Sequence, residues 1–221
     1  MNRIEVTYMT SSKLIFTNID PSFSINSGKL SEQTITKVRK EIISGNLFIP
    51  FSQFMPKAIT NITSQITNAS PLIAYNGAVA LDEMGRPLVS QFLQVKPVFE
   101  LCQQVEQIPT LTWNVYSGYN WLTQKDSPLV KQREELIHLS AFISSINNLK
   151  QLKGVHKLEI MGPKDDLEQI ALPSKTFKAE KTSTSLNLYA AEVNLNNTFK
   201  EVGKYFDISN NNWEVWSSFS N

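Results

Sequence analysis

The chain has 221 residues, with 21 Lys and Arg against 20 Asp and Glu, so its formal net charge is +1. This near-neutral charge gives no reason to expect DNA, RNA or an anionic membrane as a partner. The 41% share of hydrophobic residues and 19% of charged ones exclude a disordered or collagen-like chain, and the length allows one large domain or one domain with a sizeable insertion.

The sequence contains a single cysteine, Cys102, so it can form neither an intramolecular disulfide nor a Cys-rich zinc site. Its apolar stretches fall far short of the ~18 residues that cross a bilayer. Residues 1–13 lack the apolar stretch of a signal peptide. We therefore expect a cytoplasmic protein with no membrane or nucleic-acid partner.

The first third of the chain alternates strand patterns with helical patterns. Three short apolar runs predict buried strands, at 14–17, 47–51 and 72–74. Between them, Ser31 can cap a helix that ends near Gly45, and Pro56 suits the first turn of a second helix. This order with short connections predicts βαβ units, and therefore a parallel sheet covered by helices.

The pattern changes after Ala78. A turn at 82–85 precedes mixed elements, predicted as a helix at 98–108, a strand at 111–116, a strand at 157–161 and a helix at 163–170. From about residue 186 the alternation of strand and helix returns, with a helix at 196–206 and a last strand at 213–217. We therefore predict that the middle of the chain is inserted into the first domain.

Two segments carry a family resemblance. Residues 14–23, LIFTNIDPSF, resemble the first motif of the haloacid-dehalogenase-superfamily phosphatases, a hydrophobic strand followed by D-x-D-G-T-L. Residues 71–78, PLIAYNGA, closely match the P-x-I-x-x-N-G-A signature of the Cof-type, sugar-phosphatase-like branch of that superfamily. The resemblance implies an α/β fold, a doubly wound parallel-sheet core domain with an inserted α+β cap domain. We place the core at 1–85 and 185–221, and the cap at 86–184.

The resemblance also assigns roles to positions near the amino terminus. The family's nucleophilic Asp, which becomes an aspartyl phosphate, corresponds to Asn18, a neutral carboxamide that cannot form this intermediate. The general acid and base position is kept as Asp20, but Pro21 follows it and removes a backbone N–H donor from the loop. The phosphate-binding Ser or Thr corresponds to Ser52.

Later motif positions depart further from the family. The phosphate-binding Lys corresponds to Leu195, which cannot neutralise phosphate, and the Asp that helps hold Mg²⁺ corresponds to Ser218. In the family, the residues at Asn76 and Gly77 shape the floor between core and cap, so we assign these two to substrate binding together with Ser52. Because catalytic groups act in concert, losing several of them predicts loss of turnover.

We therefore expect no metal site and no cofactor, although the family uses Mg²⁺. The first hypothesis is a phosphatase-like protein that has lost phosphoryl transfer and acts as a binding or interaction module. The alternative is a slow or repurposed Mg²⁺-dependent phosphatase of small sugar phosphates that uses Asp20. A third hypothesis is a truncated or decaying copy without a selected activity.

Several features of the sequence allow two interpretations. Asn18, Asp20 and Ser52 either hold the loop by local hydrogen bonds or form a residual polar pocket that weakly binds a small phosphorylated molecule. Four aromatic residues are either cap core or an exposed face for a protein partner or a homodimer: Trp113, Tyr116, Tyr119 and Trp121. An uncovered edge of the sheet is a second candidate for such a partner. His156 is interpreted as an ordinary packed or solvated histidine.

Overall fold

The computed structural model describes residues 12–19, 30–172 and 176–216, which form two sheets and their covering helices. The first sheet has the order β12-β1-β2-β3-β4-β5. Its strands are β1 Leu14–Asn18, β2 Leu47–Phe51, β3 Leu72–Ala74, β4 Val79–Leu81, β5 Pro87–Ser90 and β12 Trp213–Trp216. The pairs β12-β1, β1-β2 and β2-β3 are parallel, whereas β3, β4 and β5 pair antiparallel.

Within the described ranges, six α-helices accompany the sheets. They are α1 Glu32–Ile43, α2 Pro56–Thr63, α3 Val95–Glu106, α4 Pro128–Ile137, α5 Lys164–Leu167 and α6 Leu195–Phe206. The predicted caps are confirmed: the Ser31 side chain accepts a hydrogen bond from the Thr34 N–H, and Pro56 is the first residue of α2. Gly45 ends the first helical segment with a positive φ of 86°, as a helix end favours.

Helices cover both faces of the first sheet. On one face the Phe16 ring of β1 stacks on the Phe199 ring of α6, with centroids 4.0 Å apart. On the other face Val38 of α1 and Ile62 of α2 pack with Phe48 of β2 in a separate buried cluster. The doubly wound parallel sheet is thus confirmed, because Phe16 of β1 and Phe48 of β2 are buried against opposite helical layers.

The second sheet is mixed, with the order β10-β11-β9-β6-β7-β8. Its strands are β6 Thr112–Ser117, β7 Asn120–Thr123, β8 Phe142–Ile143, β9 Lys157–Met161, β10 Phe177–Lys181 and β11 Ser185–Ala190. Helix α3 packs on one face, where the Trp113 indole N–H donates to Glu106 at 3.2 Å. Helix α4 and part of the first sheet's loops cover the other face.

One predicted strand pairs in the second sheet. The strand expected from about residue 186 pairs antiparallel with β9 and β10 in the second sheet, and the return to the first sheet begins with α6. Strand order along the chain does not identify the neighbouring strand, so the pattern alone could not assign this pairing. Pairing puts 87–90 in the first sheet and 185–190 in the second, while the predicted domain division stays a prediction.

Three of the four aromatic residues lie in the core. Trp113, Tyr116 and Trp121 are buried, while Tyr119 is 54% exposed. The Tyr116 and Trp121 rings stack at 5.6 Å, and the Trp121 indole N–H donates to Asn114 Oδ1 at 2.9 Å. These contacts favour the core interpretation for the three, so an exposed aromatic face at this place would have to rest on Tyr119.

The buried apolar residues of the two sheets are continuous. One cluster joins Phe54, Ile59 and Tyr75 of the first sheet's loops and helices to Cys102 and Leu158 of the second sheet's layer. None of the helices in the described ranges is long and apolar enough to cross a bilayer.

Candidate functional site

The predicted site residues meet at the carboxyl ends of β1, β2 and β3. Asn18 is the last residue of β1 and lies opposite Phe51, and the Ile19 N–H donates to the Phe51 carbonyl at 2.8 Å. Ser52 follows β2, and the Asn76 N–H donates to its carbonyl at 3.1 Å. In open α/β sheets the carboxyl ends of the strands are where ligands bind.

Ser52 is buried, and its hydroxyl has a structural role. The Ser52 Oγ accepts a hydrogen bond from the Phe54 N–H at 3.2 Å, which shapes the loop between β2 and α2. The Ser52 N–H donates to the Ile73 carbonyl at 3.0 Å. The geometry therefore supports the local hydrogen-bonding interpretation of Ser52, and the hydroxyl proton is still available to a second acceptor.

The loop after β3 is conformationally unusual. Three consecutive residues have a positive φ: Tyr75 at 52°, Asn76 at 53° and Gly77 at 100°. Asn and Gly tolerate this region, but a bulky aromatic residue there is an outlier that the surroundings must hold in place. The Tyr75 hydroxyl donates to the Gly118 carbonyl of the second sheet at 2.7 Å, and the side chain is fully buried.

Leu195 lies beside this loop as the first residue of α6. A Cβ added at Gly77 would be 3.0 Å from the Leu195 Cα, and the Thr198 hydroxyl of α6 donates to the Gly77 carbonyl at 2.8 Å. Leu195 itself is partly buried and packs against the cluster around Phe199. The structure therefore brings Leu195 to the strand-end site, with an aliphatic side chain that belongs to the core.

Two predicted positions lie outside the described residues. Asp20, the general acid and base position, and Ser218, the metal-binding position, fall in this part of the chain. Within the described ranges no group of three or more His, Cys, Asp and Glu side chains lies close enough to hold a metal ion. Of the positions that the family uses for Mg²⁺, the described Asn18 offers a neutral amide, so it does not fit the carboxylate that this cation prefers.

The second sheet contributes polar groups that face the strand-end loop. The Asn76 side-chain amide donates to Glu180 Oε2 at 2.8 Å and lies 3.4 Å from the Tyr189 hydroxyl. Lys178 Nζ is 3.2 Å from Glu180, so this carboxylate is shared between a cation and the loop. An anion that reached Asn76 would meet the negative charge of Glu180.

A buried ion cluster lies next to these groups, formed by Tyr116, Arg133, Lys157 and Glu159. Arg133 Nη2 is 2.8 Å from Glu159 Oε1, Lys157 Nζ is 3.5 Å from Oε2, and the Tyr116 hydroxyl donates to Oε2 at 2.9 Å. The Arg133 guanidinium also lies over the Phe54 ring, 5.2 Å from its centroid. Arg133 therefore links α4 to the loop that carries Ser52.

Burial and charge act against each other in this cluster. Burial lowers the pKa of Lys157 to about 8, although Glu159 opposes the shift. Burial would raise the pKa of Glu159, but Lys157, Arg133 and the Tyr116 hydrogen bond more than compensate and lower it. At neutral pH the cluster thus holds two cations and one carboxylate.

Sequence reasoning missed this cluster. The available signal was that Lys157 and Glu159 alternate with the apolar Leu158 and Ile160, which places both charges on one face of β9. A polar face of a strand ordinarily meets solvent. Here α4 and Tyr116 cover it, and a single sequence cannot show which element does so.

His156 is packed between the two sheets. Its Nδ1 accepts from the Gly118 N–H at 2.9 Å, its Nε2 lies 3.1 Å from the Ser90 hydroxyl, and its ring is stacked on Tyr75. Burial lowers the pKa of His156 to about 4. It is neutral at pH 7, with the proton on Nε2, and its role is that of a packed histidine.

Comparison with known proteins finds a matching family model and a curated relative. The family model of haloacid dehalogenase-like hydrolases matches residues 15–214. A Haemophilus influenzae protein that is provisionally named a phosphatase is 21% identical over 162 residues, which cover 72% of this chain and 60% of that protein. The chain therefore spans 60% of the length of this curated relative.

Solved structures share the fold at low sequence identity. A Thermotoga maritima protein has a TM-score of 0.76 at 14% identity, covering 92% of this chain and 79% of its own. A haloacid dehalogenase-like hydrolase from B. subtilis has a TM-score of 0.76 at 16% identity, covering 92% and 82%. A sugar phosphatase of haloacid dehalogenase subclass IIB has a TM-score of 0.75 at 14% identity, covering 92% and 80%. With the family model matching residues 15–214, this chain belongs to the haloacid dehalogenase-like hydrolases.

Proposed function

We propose that this haloacid dehalogenase-like chain has lost phosphoryl transfer by the family mechanism and acts as a binding or interaction module. The observation that carries the proposal is Leu195. It stands at the family's phosphate-binding Lys position and packs against the hydrophobic cluster around Phe199. A phosphate at the strand ends would find an aliphatic side chain where the chemistry needs a cation.

Two further observations support this proposal. Asn18 ends β1 at the nucleophile position, and a carboxamide cannot form the acyl phosphate. Glu180 accepts a hydrogen bond from Asn76 at the same edge and adds negative charge beside the site. Asn18 also takes away a carboxylate that could bind a metal, whereas Glu180 repels a dianionic substrate, and we expect no cofactor.

The test is a hydrolysis assay on purified protein with p-nitrophenyl phosphate and a panel of sugar phosphates, each with and without Mg²⁺. An Asp20→Ala variant prepared in parallel measures contaminating phosphatase. The proposal predicts equal rates for the two proteins. Because a working site would be stabilised by its metal through mass action, it also predicts no Mg²⁺-dependent rise in Tm.

The alternative is a slow or repurposed Mg²⁺-dependent phosphatase of small sugar phosphates. The phosphatase names of the relatives favour it, as does the carboxylate kept at Asp20. Turnover in the wild-type chain that disappears in Asp20→Ala would establish this alternative and overturn the proposed loss of activity.

A further inference from the structure

Strand β8, Phe142–Ile143, forms one edge of the second sheet and pairs in parallel with β7. Both of its side chains are exposed, Phe142 at 67% and Ile143 at 68%. Among the exposed large hydrophobic residues of the described ranges, these two alone are consecutive. Two neighbouring apolar side chains on the edge of a sheet indicate a surface that pairs with another chain.

The pairing with β7 shows which backbone groups of the β8 edge point outward. The Ser144 N–H donates to the Thr123 carbonyl at 2.9 Å, and Ile143 is the register partner of Thr123. In a parallel pair of strands, the backbone groups of alternate residues face the neighbouring strand. The N–H and the carbonyl of Ile143 therefore point away from β7, into the space beside the edge.

The neighbouring backbone groups on either side are bound within the chain. The Ala141 N–H, two residues before Ile143, donates to Glu134 Oε1 of α4 at 2.6 Å. The Ser145 carbonyl, two residues after it, accepts from the Asn148 N–H at 3.1 Å. A long added strand would need both of these groups, whereas a partner that contacts the edge at Ile143 needs neither. The β8 edge therefore fits a short contact.

The β8 edge also lacks the charges that keep sheet edges apart. Residues 139–149, LSAFISSINNL, contain no charged side chain. Within the described ranges, the other edge strands carry protective residues: Lys178, Glu180 and Lys181 in β10, Glu214 in β12, and Pro87 in β5. Like charges do not face each other when two copies of this segment meet, so a second copy of the chain is the partner that the edge fits.

We propose that the β8 edge binds a second copy of the chain through a twofold axis at Ile143. In this antiparallel arrangement Ile143 lies opposite Ile143 of the second copy, and the two residues exchange both of their backbone hydrogen bonds. The two Phe142 rings lie diagonally across the junction, within the reach of aromatic side chains. This contact includes none of the strand-end residues Asn18, Ser52 and Leu195, so it goes beyond the proposed function.

Sedimentation-velocity ultracentrifugation of the whole chain over about 1–300 µM tests the proposal. Because the contact is short, we expect a reversible monomer–dimer equilibrium in the micromolar range. Association should stop at the dimer, because a twofold contact is closed. A chain that stays monomeric over this range leaves the edge to a different partner and overturns the proposal. Growth beyond the dimer also overturns it, because it would show open-ended strand addition.

Charges at position 143 test the position of the axis. Ile143→Lys and Ile143→Glu each place two like charges opposite each other, and each should weaken the dimer at least about 10-fold. Ile43→Lys, at a position of α1 that is 86% exposed, is the matched control and should leave the association unchanged. An equimolar mixture of the two charged variants should dimerise again, because unlike charges then meet at the axis.

The outcomes with these variants are decisive in both directions. Position 143 is exposed, so both variants should fold, and their thermal unfolding checks this. A dimer that persists in Ile143→Lys places the contact elsewhere and overturns the proposal. So does a mixture of the two charged variants that stays monomeric. None of these results depends on the hydrolysis assay.

Discussion

The Asn76 side-chain amide donates a hydrogen bond of 2.8 Å to Glu180 Oε2, and this bond ties the loop after β3 to the second sheet. Asn76 has a left-handed backbone conformation, so the bond also restrains a strained segment. Together with the Tyr75 hydroxyl on the Gly118 carbonyl, it holds the two sheets against each other at the strand-end site.

Removing this bond should loosen the loop. We expect Glu180→Ala to lower the free energy of unfolding by about 1 kcal/mol, a value discounted because Glu180 is partly exposed. Amide hydrogen exchange at residues 75–77 should become faster. Lys181→Ala, at an exposed position of the same strand, is the control and should leave exchange in the loop unchanged.

Gly77 should be intolerant of a side chain. Its φ is 100°, and an added Cβ would approach the Leu195 Cα to 3.0 Å, so Gly77→Ala combines backbone strain with a clash. We expect a loss of about 1–3 kcal/mol in urea unfolding. Gly118→Ala is the matched control, because Gly118 also has a positive φ, at 60°, but no heavy atom within 4 Å of the added Cβ. Equal losses in the two variants would contradict the close approach to α6.

Loss of Glu159 from the ion cluster should destabilise the protein more than loss of Lys157. Glu159→Gln removes the carboxylate that pairs with both the buried Lys157 and Arg133, and should cost about 3 kcal/mol or more. Lys157→Met leaves the Arg133–Glu159 pair in place, so it should cost clearly less. Urea unfolding of both variants at pH 7 checks this difference. A larger loss for Lys157→Met than for Glu159→Gln would contradict the central role of Glu159 in the cluster.

His156 should make stability depend on pH. Its pKa is about 4 in the folded chain, against 6.5 for an ordinary histidine, so the unfolded chain binds the proton first as the pH falls. Stability should therefore decrease between pH 6.5 and pH 4, by up to about 3 kcal/mol from this group. A His156→Asn variant should be less stable at pH 7 and should lack this part of the pH dependence. Parallel pH profiles for the two proteins would contradict the assignment.

Restoring one catalytic position should not restore turnover. Asn18→Asp alone still lacks the cation at Leu195 and the carboxylate at Ser218, so we expect no hydrolysis of p-nitrophenyl phosphate above the Asp20→Ala background. The triple variant Asn18→Asp, Leu195→Lys, Ser218→Asp should gain Mg²⁺-dependent hydrolysis. Substantial activity in the single variant would show that the later motif positions are wrongly assigned.

Local signals explain how much of the first sheet could be predicted. The cap at Ser31, the helix end at Gly45 and Pro56 at the start of α2 are encoded by residues close in sequence, and all three were predicted. The partner of the strand that begins at Ser185 could not be predicted, because the pairing of β9 with β11 depends on contacts between residues that are not close in sequence.

The candidate site was likewise predictable only in part. Asn18, Ser52 and Asn76 could be placed at one edge because the carboxyl ends of parallel strands meet there. The contribution of Arg133 and Glu180 could not, since the approach of the second sheet to these strand ends depends on tertiary packing. Pattern alone does not show whether a polar strand face meets water or a helix.

The continuous apolar cluster that includes Tyr75 and Cys102 has a consequence for unfolding. Since one hydrophobic cluster spans the layers of both sheets, neither layer can separate without exposing apolar surface of the other. Cys102 is fully buried, and burial raises the pKa of its thiol well above the ordinary value. Because it is the chain's single thiol, the rate at which a thiol reagent labels the native protein reports how often this shared interior opens, and no cysteine has to be introduced.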